Sequence, residues 1–280
     1  MVHFSKTCII LAIIAVSLSC ESRSPITVEH AEKYSPVENI AIIVEPREHQ
    51  LLVPIIENAM SVLGDSWKIQ IFHGTENGNF IRNSSLSSKI KEGQIYLSQL
   101  NRSNITVSNY NDLLLSRHFW DNVLGERVLV FQTDSILCGG SSHKIDDFFK
   151  YDYVGAPWDE NKYEFHCGIY QGSHSIFVGN GGLSFRKRSA TLKVLERYVP
   201  QSGINEDIFF SCLGSELKVP TVEEAKSFSV ETTFYAQPFG VHKPWLYLEK
   251  NQMMVLEENC PDIEILKGHY AKADPSVWGQ

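Results

Sequence analysis

Residues 127–138 read RVLVFQTDSILC, an apolar, β-rich run that stops abruptly at Thr133-Asp134-Ser135. In open α/β sheets ligands gather beyond the carboxyl ends of strands. An acid between two hydroxyls at such an end therefore predicts a site for a metal ion or a phosphorylated ligand, with Thr133, Asp134 and Ser135 as its candidates. Three further polar clusters repeat the pattern: VGNGGLSFR at 178–186, NEDIFF at 205–210 and FGVHKPW at 239–245.

Outward from that run, NIAIIV at 39–44 is a short continuous apolar stretch bounded by polar residues, the pattern of a buried parallel strand. Leu52, Ile55, Ile56, Ala59, Met60 and Leu63 then form one helical face, which Gly64 is placed to stop. WKIQIF at 67–72 is a second strand, and this strand–helix–strand opening predicts a doubly wound α/β sheet. Residues 73–107 are rich in Asn, Ser and Gly and hold one candidate strand, QIYLSQL at 94–100. Helical spacing returns from Ser108 to Leu124 and closes at Gly125. Later helices are expected at 187–199, 206–213 and 221–227, the last opened by a Thr221/Glu224 capping box. The expectation is one α/β domain over 38–280, with a mainly parallel central sheet flanked by helices.

The chain has 280 residues, 43% hydrophobic and 21% charged, enough apolar sequence for a full core. Its net charge of −8 and lack of any basic run argue against nucleic acid as a partner, since that grip needs clustered Lys and Arg. Residues 1–19 combine Lys6 with a short apolar run and a small-residue step. They read as a signal peptide or a short signal anchor, the latter offering attachment to a membrane. Residues 20–37, with Pro25 and Pro36, read as a stem or linker. Three N-x-S/T sequons at Asn83, Asn101 and Asn104 are open to glycosylation if the chain enters the secretory lumen. Cys138, Cys167, Cys212 and Cys260 would there form two disulfides in one of three pairings. The expected location is the secretory lumen or the cell exterior.

The residue types suggest chemistry. A hard divalent cation binds carboxylate oxygen and keeps positions open for substrate phosphates, which suits Asp134; an Asp capping a turn is the alternative. Lys243 carries a compact charge suited to phosphate. Asn180-Gly181-Gly182 lacks the spacing of a dinucleotide fingerprint, but paired glycines let backbone approach a ligand closely. Glu206 and Asp207 precede the apolar Ile208-Phe209-Phe210 and fit a helix start, as functional or capping acids. Trp158 and Trp245 offer aromatic faces for a pyranose, or pack in the core.

FQTDSILC, YDYVGAPW, GNGGLSFR, NEDIFF and HKPW, in this order, resemble the domain family DUF5672, whose members resemble GT-A glycosyltransferases. The resemblance runs over most of residues 38–250. It implies transfer of a sugar from a nucleoside diphosphate donor, a UDP-sugar above others, to a hydroxyl on a glycan, protein or lipid, as in the hexosyltransferases. It implies Mn²⁺ or Mg²⁺ on Asp134, although the usual Asp-x-Asp reads Gln132-Thr133-Asp134 here. By the same resemblance His242 is a metal or phosphate ligand, Lys243 neutralises the leaving group, and Asn180-Gly181-Gly182 lies against sugar and acceptor. Asp207 becomes the general base of an inverting reaction, with Glu206 as its neighbour or an acceptor contact. Glu45 and Arg47, after the first strand, would meet the nucleotide. The alternative is a noncatalytic lumenal protein that binds carbohydrate or nucleotide on the same fold.

Overall fold

The computed structural model describes residues 26–28, 37–159, 165–167, 175–176, 178–213 and 216–270. In chain order its elements are β1 (Ile26–Val28), β2 (Val37–Glu45), α1 (Leu52–Leu63), β3 (Lys68–His73), α2 (Gly78–Arg82), α3 (Ser87–Lys91), β4 (Ile95–Leu100), α4 (Val107–Leu114), α5 (Arg117–Asp121) and β5 (Gly125–Phe131). There follow β6 (Ser135–Leu137), β7 (Tyr153–Pro157), β8 (Phe165–His166), β9 (Ser175–Ile176), β10 (Val178–Lys187), α6 (Arg188–Arg197) and α7 (Glu206–Ser211). The chain continues through α8 (Val222–Phe228), β11 (Ser229–Val230), β12 (Gly240–His242), α9 (Lys250–Asn259) and α10 (Glu264–Tyr270).

The central sheet has the order β1-β4-β3-β2-β5-β10-β7 among the described residues. Strands β4, β3, β2 and β5 run parallel, whereas β1, β10 and β7 pair antiparallel with their neighbours. The sheet is therefore mixed rather than mainly parallel. Parallel neighbours need a long crossover, which α1 and the pairs α2–α3 and α4–α5 supply. Beyond β7, strand β10 returns antiparallel to both β7 and β5. Ile26–Val28, inside the stretch expected as stem, is a strand paired with β4. The stretch read as a signal peptide or short anchor, residues 1–19, lies outside the described residues.

Alternation along the strands builds a core on each face of the sheet. Ala41, Ile43, Leu129 and Phe131 pack with the apolar face of α1, while Ile40, Ile42, Val44, Val128 and Val130 pack against Phe119 and Trp120. Burial on both faces explains why these strands read as continuous apolar runs. Helix α1 stops as expected at Gly64, which has φ 72 and donates its N–H to Met60 O. The capping box of α8 forms, with Glu224 N–H donating to Thr221 Oγ1 at 3.3 Å.

The single helix expected from Ser108 to Leu124 breaks into α4 and α5. Ser116 is extended, and Trp120 Nε1 donates to Leu114 O at 2.7 Å, so the indole takes a carbonyl that a longer helix would use itself. Burying Phe119 and Trp120 against the sheet outweighs helix continuity here.

Cys138 pairs with Cys260 and Cys167 with Cys212, which fits a secreted or lumenal protein. No helix among the described residues is long and apolar enough to cross a membrane. The three sequon asparagines are exposed. The first disulfide ties the end of β6 to the C-terminal helices across 122 residues. Replacing both Cys138 and Cys260 by Ser is expected to lower stability by about 2–5 kcal/mol, because the unfolded chain regains loop entropy. A thermal unfolding midpoint equal to that of the native chain would contradict this.

Candidate functional site

In the parallel part of the sheet the chain passes from β2 through β3 to β4 on one side, then returns to place β5 on the other side of β2. The strand order thus reverses between β2 and β5. Loops leaving the carboxyl ends of such neighbours diverge and leave a crevice. A cleft of about 440 Å³ lies there, lined by Val44, Glu45, Gln132, Thr133, Asp134, Asn180, Gly181, Gly182, Glu206, Asp207, His242 and Lys243. Trp158 and Arg47 reach it, and Ile105, Thr106, Val107, Tyr110 and Asn111 add a wall at and before α4.

Local pairing places the chemistry. Ser135 Oγ donates to Gly182 O at 2.9 Å and accepts from Gln132 N–H at 3.2 Å, closing the turn that presents Asp134. Pairing of β6 with β12 sets His242 opposite Ser135, and Lys243 N–H donates to Asp134 O at 3.0 Å. His242 Nε2 consequently lies 3.3 Å from Asp134 Oδ1, an ion pair in which neither atom has a hydrogen-bond partner. On the other edge of the ring, Nδ1 is 2.9 Å from Asn180 Oδ1 and 3.2 Å from Glu231 Oε1. Lys243 Nζ stands 3.6 Å from the same Glu231 oxygen. The Lys243 backbone is left-handed, with φ 36, a conformation costly for a side-chain-bearing residue and typical of functional turns.

Charge follows from this geometry. Burial opposes ionisation of His242, but Asp134 and Glu231 outweigh it and raise its pKa to about 9. Burial likewise opposes the Asp134 carboxylate, and the facing His242 and Lys243 hold it below the usual range. Asp207 behaves in the opposite way: burial first, and the neighbouring Glu206 second, lift its pKa to about 6. Gly181 N–H and Ile208 N–H donate to its two oxygens, at 3.3 and 2.8 Å. A half-buried carboxylate with that proton affinity is ionised at neutral pH and still able to accept a proton.

The paired glycines have a steric cause. A Cβ at Gly181 would stand 2.0 Å from Glu206 Oε1, and one at Gly182 would stand 2.1 Å from His242 Cε1. These positions are bare because two cleft side chains occupy the space.

Among the described residues no group of three or more His, Cys, Asp or Glu could hold a metal ion. Asp134 and His242 face each other across their ion pair, and both can serve as donors once the imidazole gives up its proton. A hard cation that takes few protein ligands and leaves room for phosphate oxygens fits such a pair. Glu231 behind Nδ1 is the kind of partner that orients a ligating histidine.

Several expected residues stand elsewhere or are already engaged. Ser135 is buried and shapes the turn instead of facing the cleft. Trp245 is buried in the main core, because the turn after Lys243 folds it inward. Trp158 lines the cleft while packing on Cys167, Cys212 and Ile208. Arg47 forms a two-pronged pair with Glu45, at 2.7 Å for each contact, so its guanidinium anchors that acid within the cleft wall. The Glu206 carboxylate pairs with the buried Arg186, with contacts at 2.7 and 3.0 Å.

Arg186, Glu231 and Tyr110 went unread in the sequence. Arg186 had a signal, a charge on a strand whose alternate residues Leu183 and Phe185 face the core. Glu231 had none, since only the pairing of β11 with β12 brings it to His242.

Sheet and cleft together define a mixed α/β domain whose switch-point crevice brings Asp134 and Asp207 together with His242 and Lys243. The chain belongs to the DUF5672 family, described as a protein of unknown function, whose model matches residues 94–242. That span includes Asp134, Asn180, Asp207, Glu231 and His242. No curated protein matches the chain. Among solved structures it is similar to TarS 1-349 of S. aureus, with 10% identity over 85% of this chain and 75% of that chain, and a TM-score of 0.43. It is also similar to the apo form of the glycosyltransferase GlyE of Streptococcus pneumoniae TIGR4, with 14% identity over 85% of this chain and 64% of that chain, and a TM-score of 0.41.

Proposed function

We propose that the cleft transfers a sugar from a nucleoside diphosphate donor to a hydroxyl of a glycan, protein or lipid, with inversion. One observation carries this reading: Asp134, Asp207 and the His242-Lys243 pair, from three separate stretches of sequence, line a single crevice. The family resemblance to GT-A transferases supports it.

Each residue then has a task. Lys243 places positive charge where the diphosphate would lie. Asp134 and His242 would hold Mn²⁺ or Mg²⁺, with Glu231 fixing the orientation of the imidazole. When bound, that cation offsets the charge growing on the departing diphosphate. Asp207 takes the proton of the acceptor hydroxyl as its oxygen attacks the anomeric carbon. Asn180, Gly181 and Gly182 lie between these groups, beside the reacting sugar, and Trp158 offers an aromatic edge to it. Val44, Glu45 and Thr133 form the donor side of the crevice.

The testing experiment is a screen of nucleotide sugars with simple hydroxyl acceptors, with and without Mn²⁺, reading released nucleoside diphosphate. Release that requires acceptor supports transfer. Donor binding without release would favour the noncatalytic reading, and neither binding nor release would remove both. Gly182→Ala provides a local check: its methyl group would push His242 off Asp134. It is expected to weaken nucleoside diphosphate binding in the presence of Mn²⁺ by about 10-fold or more, with the circular dichroism spectrum unchanged. Titration calorimetry gives the affinity, and a native value would contradict the assignment of His242.

A further inference from the structure

Arg186 has no part in the reaction just described, yet it is fully buried directly behind the cleft. Its two terminal nitrogens meet both oxygens of Glu206, at 2.7 and 3.0 Å, and Nε donates to Ser184 Oγ at 3.0 Å. The rings of Trp120, Tyr153 and Phe210 stand 5.6, 4.9 and 5.2 Å from Cζ. Burying an ion pair of this kind often gives no more stability than apolar side chains of similar volume would. Its position supplies another reason. Glu206 precedes Asp207, and its Oε1 fills the space beside Gly181, whose N–H donates to Asp207 Oδ2. From α4, Asn111 grips the same turn: its Oδ1 accepts from Glu206 N–H and its Nδ2 donates to Asn205 Oδ1, both at 3.1 Å. The turn that presents Asp207 is thus anchored from β10 and from α4.

We propose that Arg186 is a positioning residue that acts through Glu206 to hold Asp207 against the acceptor hydroxyl. The inference rests on Asp207 being the base. The charged groups near Asp207 are Glu206 on its own turn and Arg186 from β10, with the Tyr153 hydroxyl of β7 on the same side. Asp134, Glu231, His242 and Lys243 line the same cleft. Glu206 raises the Asp207 pKa more than Arg186 lowers it. Removing both charges therefore leaves Asp207 more acidic, and the acidic limb of the rate profile moves to lower pH.

The test is kcat and kcat/KM against pH for the full chain, for Asp207→Asn and for the double variant Arg186→Met/Glu206→Gln, together with donor affinity by calorimetry. The double variant is expected to lose about 10-fold or more in kcat through misplacement of the base. Its acidic limb is expected to move to lower pH, with donor affinity within about twofold of native. A limb at the native pH, a native kcat, or a loss of donor affinity matching the loss of rate would overturn the proposal. If the double variant does not fold, Arg186→Lys decides. It keeps the charge but not the fork, so a lower kcat with the limb in place supports the role and a native kcat overturns it. Full activity in Asp207→Asn would remove the base itself, and this inference with it. An inactive Asp207→Asn beside an unmoved double variant would remove only the role of Arg186.

Discussion

Asp207→Asn is expected to lower kcat by about 10²–10⁴-fold, the usual worth of a positioned general base, while donor affinity stays within about twofold. The amide keeps the shape of the side chain and an oxygen for the Gly181 N–H, but it cannot take a proton at neutral pH. The pH profile adds a signed expectation. With a pKa of about 6, Asp207 is ionised above that value and protonated below it. The rate therefore rises through pH 6 to a plateau near 7, where the ionised form outnumbers the protonated one by about ten to one. In Asp207→Asn that limb disappears from whatever activity remains. A variant within threefold of native, or one that keeps the limb, would show that the proton goes elsewhere; steady-state rates from pH 4.5 to 8 decide.

Asp134→Ala carries the second large effect, and it falls on binding as well as rate. The substitution removes the carboxylate facing His242 and Lys243, one of the two donors proposed to hold the cation. We expect rates to fall by about 10²–10³-fold, the range for losing a group that stabilises transition-state charge. Affinity for nucleoside diphosphate should lose its response to Mn²⁺ at the same time. The contrast with Asp207→Asn is diagnostic, since that variant is expected to bind donor normally. If Asp134→Ala kept both its turnover and its Mn²⁺ response, the charge-offsetting role would belong to other groups, Lys243 first among them.

Much of the architecture was legible because it follows from local pattern. The apolar runs at 39–44 and 67–72 and the face from Leu52 to Leu63 became β2, β3 and α1, and the Thr221/Glu224 box opened α8. Direction within the sheet was not legible, because β10 carries the same alternation whether it runs with β5 or against it. The break between α4 and α5 depends on Trp120 reaching back to Leu114 O, a tertiary contact invisible to helical spacing. For the site, the polar interruptions at strand ends were the readable part: a crevice needs loops there, and each quoted cluster sends at least one side chain into it. The failures share one cause. Ser135 and Trp245 flank true cleft residues but point inward, and proximity in sequence gives no orientation at a turn. The ion pair of Glu206 was not legible because its partner, Arg186, is twenty residues away in sequence.

Where the diphosphate binds decides the role of this crevice most directly. A crystal structure of the full chain with a nucleoside diphosphate and Mn²⁺ would locate both, the metal by its anomalous signal. We expect the manganese between Asp134 and His242, the phosphates beside Lys243, and Asp207 facing the open acceptor side of the same crevice. A diphosphate bound away from these residues, with the cleft between β2 and β5 left to solvent, would contradict the assignment of this crevice as the donor site.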